Sequence, residues 1–241
     1  MNIAVIFAGG KGVRIGNEKP KQFIEVYNKP IIVHTLEKFE IHPEIDGVAI
    51  SCIADWIPHL KELVKQYNLT KVKWIVEGGS TGQLSIYNGL SAVYQDFPEE
   101  NPIVLIHDGV RPFIDADLIS RNIEAVKKYG SSISSSPAIE TFAITSDNGN
   151  VETIVDRSKS MIAKAPQSFY LHEIIAIHEQ ALKDGVENSI DSCTLVHSYG
   201  KEIHTIPCST DNIKVTTPKD LYISKYMFDI QNNTYWVEGK E

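Results

Sequence analysis

The chain has 241 residues, 42% of them hydrophobic, and a formal net charge of −8. That is ample apolar material for a packed core, with a single domain the expectation for an α/β protein. The acidic balance excludes a general nucleic-acid binder, which normally carries a basic stripe.

Four short, β-branched and nearly continuous apolar runs lie in the first half: "NIAVIFAGG" (2–10), "DGVAISCIAD" (46–55), "VKWIVEGG" (72–79) and "NPIVLIHDG" (101–109). Such runs are expected of strands buried on both faces of a parallel sheet. Between and after them, helical spacing predicts helices over 30–42, 55–67, 81–97 and about 115–129. Strand and helix therefore alternate, which predicts a doubly wound, mostly parallel sheet with right-handed crossovers.

The pattern then changes. "SSISSSPAIETFAITSDNGNVETIVD" (131–156) holds two extended runs around Asp147-Asn148-Gly149-Asn150, a hairpin turn signal. An isolated hairpin is marginal in water, so a projecting β-arm at about 133–165 that packs on a second subunit is expected. Helices at about 171–184 and 191–199, a strand in "KEIHTIPCS" and the run "NIKVTT" follow. A last helix begins at Thr217-Pro218-Lys219-Asp220, where threonine caps and aspartate complements the helix dipole.

No run of 18 apolar residues and no secretory leader pattern occur, so a cytoplasmic protein with no membrane association is expected. Cys52, Cys193 and Cys208 are widely spaced, without the pairs that mark a disulfide framework or a zinc site. The histidines, among them His34, His59, His107, His172, His178 and His204, are scattered over different elements and read as structural.

The stretch with the most chemistry is "IFAGGKGVRIGNEKPKQF" (6–23). A glycine turn after a first strand presents backbone N–H groups to phosphate. Gly10, Gly12 and Gly16 are mis-spaced for the dinucleotide fingerprint, and the P-loop string is absent. What remains is a backbone nest flanked by Arg14 and Lys21, a combination that matches a triphosphate; the alternative is a tight turn with surface cations. Asp108 ends the strand "IVLIHDG", where an open α/β sheet faces its ligand crevice. A carboxylate there suits Mg2+ or, in the alternative, caps the next helix.

These residues resemble the cytidylyltransferase family that contains the methylerythritol-phosphate and ribitol-5-phosphate enzymes. The resemblance rests on "AGGKGVRIG…KPKQF", "GG…S…NGL" (78–90), "HDGVRPF" (107–113), "PAIET" (137–141), "DRS…APQSF" (156–169) and "DNIKVTTPKDL" (211–221), in order along nearly the whole chain. It implies a Rossmann-like nucleotidyltransferase fold and transfer of CMP from CTP to a small polyol phosphate, with Mg2+ as cofactor. It further implies a homodimer that exchanges the arm.

By the family pattern, Ala8, Gly9, Gly10 and Gly12 line the CTP, with Gly79, Ser80 and Ser85 near the base and ribose. Arg14, Lys21 and Lys214 neutralise phosphate charge, and Asp108 and Asp211 hold the metal. Arg111 supports the acceptor side from behind Asp108, and Thr141 and Arg157, on the arm, grip the acceptor phosphate of the partner's site. Two positions depart from the pattern: Gly82 stands where the family has arginine, and Ala165 replaces the threonine of a Thr-Pro-Gln motif. "KPIIVHTLEKF", "DGVRPF", "IDSCTL" and "KVTTPKDL" are closer to the ribitol-phosphate branch; the methylerythritol branch and a non-catalytic nucleotide-binding homologue are the alternatives.

Overall fold

The computed structural model describes residues 1–10 and 19–231. Strand β1 (Asn2–Ala8) is followed by a one-turn 3-10 helix at Lys21–Phe23, a small hairpin of β2 (Glu25–Val26) and β3 (Lys29–Pro30), and helix α1 (Ile31–Glu40). Next come β4 (Gly47–Cys52), α2 (Ile57–Gln66), β5 (Val72–Glu77), α3 (Gly82–Asp96), β6 (Ile103–Asp108) and α4 (Ala116–Tyr129). The second half runs β7 (Ser131–Pro137), β8 (Ala143–Thr145), β9 (Val151–Ile154), β10 (Met161–Tyr170), α5 (Leu171–Lys183), α6 (Ser192–Ser198), β11 (Thr205–Pro207) and α7 (Pro218–Gln231).

Seven strands form one sheet in the order β11-β7-β10-β6-β1-β4-β5. β6, β1, β4 and β5 are mutually parallel, while β10 is antiparallel to both its neighbours. The chain steps outward from β1 through β4 to β5, then returns to the other side of β1 as β6. That reversal opens a crevice at the carboxyl ends of β1 and β6.

The alternation of side chains along β1 explains why both faces are covered. Ala4, Ile6 and Ala8 pack into one buried cluster with residues of α1, α2 and α4, including Leu36, Leu60 and Ile119. Ile3 and Val5 point the other way, into a cluster with Leu90 of α3, Ile174 of α5 and Leu195 of α6. Each fully buried Ile or Leu of this kind contributes roughly 2–3 kcal/mol of burial. Capping fixes where helices start: Thr81, Asp115 and Asp191 accept backbone N–H groups at the heads of α3, α4 and α6. At the head of α7, Asp220 reaches back to the N–H groups of Thr216 and Thr217.

The arm is shorter than the sequence predicts. Residues 133–137 do not project; they lie in β7, where Ser131, Ser132, Ser134, Ser135 and Ser136 are all buried. Part of the physical reason is Asn122 of α4, itself fully buried, which bonds two of these hydroxyls and that of Ser168. Its side-chain oxygen accepts from Ser132 (2.7 Å) and Ser168 (3.3 Å), and its amide donates to Ser134 (3.0 Å). Residues 161–165 likewise belong to β10, which pairs with β7 and β6 and shifts register between Ala163 and Gln167. Between these strands lies the β8–β9 hairpin, turning at Ser146–Asn150 with Gly149 at φ +80°, and at its base the exposed Met161–Ala163 pair with Ser135–Pro137 of β7 alone.

Two further differences are local. Only Thr205–Pro207 of "KEIHTIPCS" is a strand. The run "NIKVTT" is irregular and is held by bonds to distant segments: Val215 N–H donates to the Val110 carbonyl and Asn212 donates to the Ala165 carbonyl of β10.

Asn122→Ala is expected to destabilise the fold by about 2–4 kcal/mol, since it leaves buried hydroxyls without partners and opens a cavity. Urea unfolding at neutral pH checks this, and a loss below about 1 kcal/mol would show that the serines find other partners.

Candidate active site

The crevice at the switch point is a cleft of about 470 Å³. Ala8, Gly9, Gly10, Lys21, Gly79, Ser80, Ser85, Asp108 and Lys214 line it, so residues from five separate stretches of sequence meet there. Gly12 and Arg14 lie outside the described residues.

Close packing dictates the glycines. A Cβ on Gly9 would approach the Ser85 hydroxyl to 2.6 Å, and one on Gly79 would approach the Leu84 backbone carbon to 2.9 Å. Gly9 thus lets the β1 turn close on α3, where a Cβ on Gly78 would also come within 3.2 Å of Gly9 Cα, and Gly79 lets the turn before α3 fold tightly onto that helix. Ser85 is 2% exposed and not on a helix surface; its hydroxyl accepts the Gly79 N–H (3.1 Å) and donates to the Thr81 carbonyl (2.9 Å). It thus shapes the floor of the cleft.

Gln22, which motif reasoning passed over, is 1% exposed and donates to the Ala8 carbonyl at 2.6 Å. That bond ties the segment carrying Lys21 to the end of β1.

Asp108 sits at the other wall, 4% exposed. Its Oδ2 pairs with Arg111 Nε at 3.0 Å and its Oδ1 lies 2.5 Å from Lys214 Nζ. Burial alone pushes this carboxyl up, but the charges of Arg111 and then Lys214 outweigh it and hold Asp108 well below the usual carboxylate range. Arg111 also donates to the Asn212 carbonyl at 2.6 Å, and Asn212 donates to Ala165 at 2.7 Å. These bonds fix the 212–214 segment and so aim Lys214, whose ammonium also lies 5.5 Å from the centre of the Phe7 ring. One carboxylate thus stands among Arg111, Lys214 and, across the cleft, Lys21, which makes the site attractive to polyanions.

A second, smaller cavity of about 270 Å³ adjoins the first, and Phe7, Gly82, Asp108 and Lys214 line both. Its walls come from α3, β6, the irregular 163–167 part of β10, α5 and the start of α6. Arg111 and both departures from the family pattern, Gly82 and Ala165, lie here.

The remaining expected site residues are elsewhere. Asp211 lines neither of these cavities; it is exposed and borders a separate hollow beside Phe113 and Ser209. Thr141 and Arg157 are on the arm, exposed, and line neither cavity of their own chain.

Behind the site, His107 is fully buried, Nε2 3.0 Å from the Arg111 carbonyl, and burial lowers its pKa to about 4. His178, also buried, is lowered to about 4 by the same cause. Above about pH 6.5 both are neutral, folded or unfolded; as pH falls from there toward 4 the unfolded chain takes up protons that the folded one refuses. Stability should therefore drop through this window, by up to about 1.4 kcal/mol per pH unit for each histidine. Chemical unfolding at pH 7, 6 and 5 measures it, and a flat profile would count against neutral buried histidines.

A doubly wound sheet whose switch point offers glycines at the end of β1, lysines and one paired carboxylate defines a nucleotidyltransferase. The comparisons agree: the family model described as 2-C-methyl-D-erythritol 4-phosphate cytidylyltransferase matches residues 2–229, and the chain belongs to this cytidylyltransferase family. It is 48% identical to ribitol-5-phosphate cytidylyltransferase of Vibrio parahaemolyticus, over 97% of this chain and 98% of that one. It is 38% identical to 2-C-methyl-D-erythritol 4-phosphate cytidylyltransferase of Clostridium acetobutylicum, over 93% and 96%. Among solved structures, 4-diphosphocytidyl-2C-methyl-D-erythritol synthase from Anaerococcus prevotii matches with a TM-score of 0.82 at 26% identity, covering 95% of this chain and 98% of that one. Among the described residues no helix is long and apolar enough to cross a membrane.

Proposed function

We propose that this enzyme transfers CMP from CTP to ribitol 5-phosphate, giving CDP-ribitol and pyrophosphate. The observation that carries the reading is the junction: a nucleotide-sized cleft and a smaller cavity meet at Asp108 and Lys214. That is where an acceptor phosphate and an α-phosphorus must meet. The choice of ribitol over methylerythritol is supported by relatives at 47–48% identity that bear the ribitol-5-phosphate name, against 35–38% for those named after methylerythritol phosphate.

An oxygen of the acceptor phosphate attacks the α-phosphorus, a new P–O bond forms, and the bond to the β-phosphate oxygen breaks with its electron pair leaving on pyrophosphate. The attacking phosphate is already an anion, so no side chain need remove a proton. The protein's work is in-line positioning and neutralisation of charge. Lys214, held at the junction, faces both substrates, and Lys21 lies on the nucleotide side. Arg14 belongs to the same proposal by family pattern.

Mg2+ typically takes one or two carboxylates together with substrate phosphates. Asp108 Oδ1 is buried, pairs with the half-exposed Lys214 ammonium at 2.5 Å, and Asp108 borders the cleft. It fits as a single protein ligand to a magnesium ion carried by the triphosphate, where the ion would offset phosphate charge. Asp211 belongs to the same proposal by family pattern as a second metal carboxylate, although it lines neither of the two cavities.

Homodimerisation completes the proposal. Thr141 and Arg157 line neither of the two cavities described, and the arm exposes Ile139, Phe142, Ile144, Val151 and Ile154 at 45–69%. A second copy that buries this apolar hairpin would receive both residues over its acceptor cavity.

The test is pyrophosphate release from CTP and Mg2+, with ribitol 5-phosphate and 2-C-methyl-D-erythritol 4-phosphate compared at equal concentration. A preference for ribitol 5-phosphate is expected. A preference for methylerythritol phosphate overturns the acceptor, and no release with either despite CTP binding would mark a nucleotide-binding homologue without turnover.

A further inference from the structure

We propose that His178 and Ser192 bind hydroxyl groups on the carbon chain of the acceptor and so select the length of the polyol phosphate. This rests on the function argued above.

Most polar side chains of the smaller cavity are already spent on its walls. Gln83 donates to the Val186 carbonyl (2.6 Å) and accepts the Ser189 N–H (2.7 Å). Gln167 donates to Asp191 (3.2 Å) and accepts the Cys193 N–H (2.8 Å), and the other oxygen of Asp191 caps α6. Lys164 donates to the carbonyls of Ser209 and Thr210.

His178 and Ser192 differ. His178, on α5, is 1% exposed and stacks on Tyr87 with ring centres 5.7 Å apart, yet neither ring nitrogen has a hydrogen-bond partner among the described residues. Ser192, at the start of α6, is 2% exposed and its hydroxyl is likewise unpartnered. Both line the cavity. An unmet buried polar group is costly, and two of them on side chains that line one cavity are explained by a ligand that satisfies them.

The chemistry specifies the ligand. The histidine is neutral at physiological pH because burial lowers its pKa to about 4, so its ring offers one donor and one acceptor. The serine hydroxyl also donates and accepts. This end of the cavity thus suits neutral hydroxyls, while Arg111 and Lys214 at the junction suit phosphate. The acceptor therefore enters with its phosphate at Lys214 and its carbon chain toward His178. The volume of about 270 Å³ lies just under the roughly 300–1,000 Å³ of sites for drug-sized molecules, as a short polyol requires. A site built to hydrogen-bond a hydroxyl discriminates strongly against an analogue that lacks it.

His178→Leu and Ser192→Ala, measured separately in the full-length enzyme, test this with ribitol 5-phosphate and the one-carbon-shorter erythritol 4-phosphate. Each variant should raise KM for ribitol 5-phosphate about tenfold, the upper end for one neutral hydrogen bond, with KM for CTP within about twofold. The rate with erythritol 4-phosphate should move by less than about threefold, and His178→Leu should keep or raise Tm. An unchanged KM for ribitol 5-phosphate, or equal losses on both acceptors, would overturn the proposal. Should the wild type prefer another polyol phosphate, the acceptor reading falls separately, and the same KM comparison on that substrate decides the role of His178 and Ser192.

Discussion

Lys214→Ala is expected to lower kcat/KM by about 10²–10³-fold, the effect of deleting one preorganised donor to developing charge, or roughly 2.7–4 kcal/mol of transition-state stabilisation. Most of the loss should fall on kcat, because charge on the departing pyrophosphate grows only as the bond breaks. Tm should change little: the Lys214 side chain is 40% exposed and Asp108 keeps its buried partner Arg111 at 3.0 Å. Initial rates with saturating CTP and a thermal melt separate these effects.

The competing account is that Lys214 only neutralises Asp108. Lys214→Met should then cost nothing further in an Asp108→Asn background, where the charge to be neutralised is already gone. A further loss in the double variant relative to Asp108→Asn alone places Lys214 on the substrates, whereas equal activity removes it from the charge-stabilising role.

Much of this site was legible because its signals are local. β1 and β6 declare themselves as β-branched runs, and the glycines at 9 and 79 mark turns where a Cβ would clash. The closing Asp108 follows from its place at the end of an apolar strand. What stayed hidden depends on contacts between distant segments. Five serines in β7 read as surface, since nothing near them in sequence shows that Asn122 of α4 bonds to the hydroxyls of Ser132 and Ser134. β10 was obscured by Pro166 and by the register shift between Ala163 and Gln167 that bends the strand at the cavity. His178 looked like one scattered histidine among several; only its burial beside Ser192 with nothing to bond marks it out.

Mixing two inactive variants should restore activity, and this outcome separates a shared active site from a merely dimeric enzyme. If Arg157 of one subunit serves the site that contains the other's Lys214, Arg157→Ala and Lys214→Ala dimers are each inactive for different reasons. After subunit exchange, half the dimers are mixed, and each mixed dimer holds one site with both lesions and one with neither. Statistical exchange therefore recovers about a quarter of wild-type activity, given a two-fold dimer. Were Arg157 to act within its own chain, every site in every mixture would carry one lesion and no recovery would occur. The arm supplies the matching control. Ile144 and Ile154 are 52% and 68% exposed on the hairpin, so Ile144→Asp with Ile154→Asp should give a folded monomer, read by light scattering, with activity lost along with the dimer. A monomer that kept full activity would place every group needed for catalysis within one chain, and Thr141 and Arg157 would then have no part in the reaction of a neighbour.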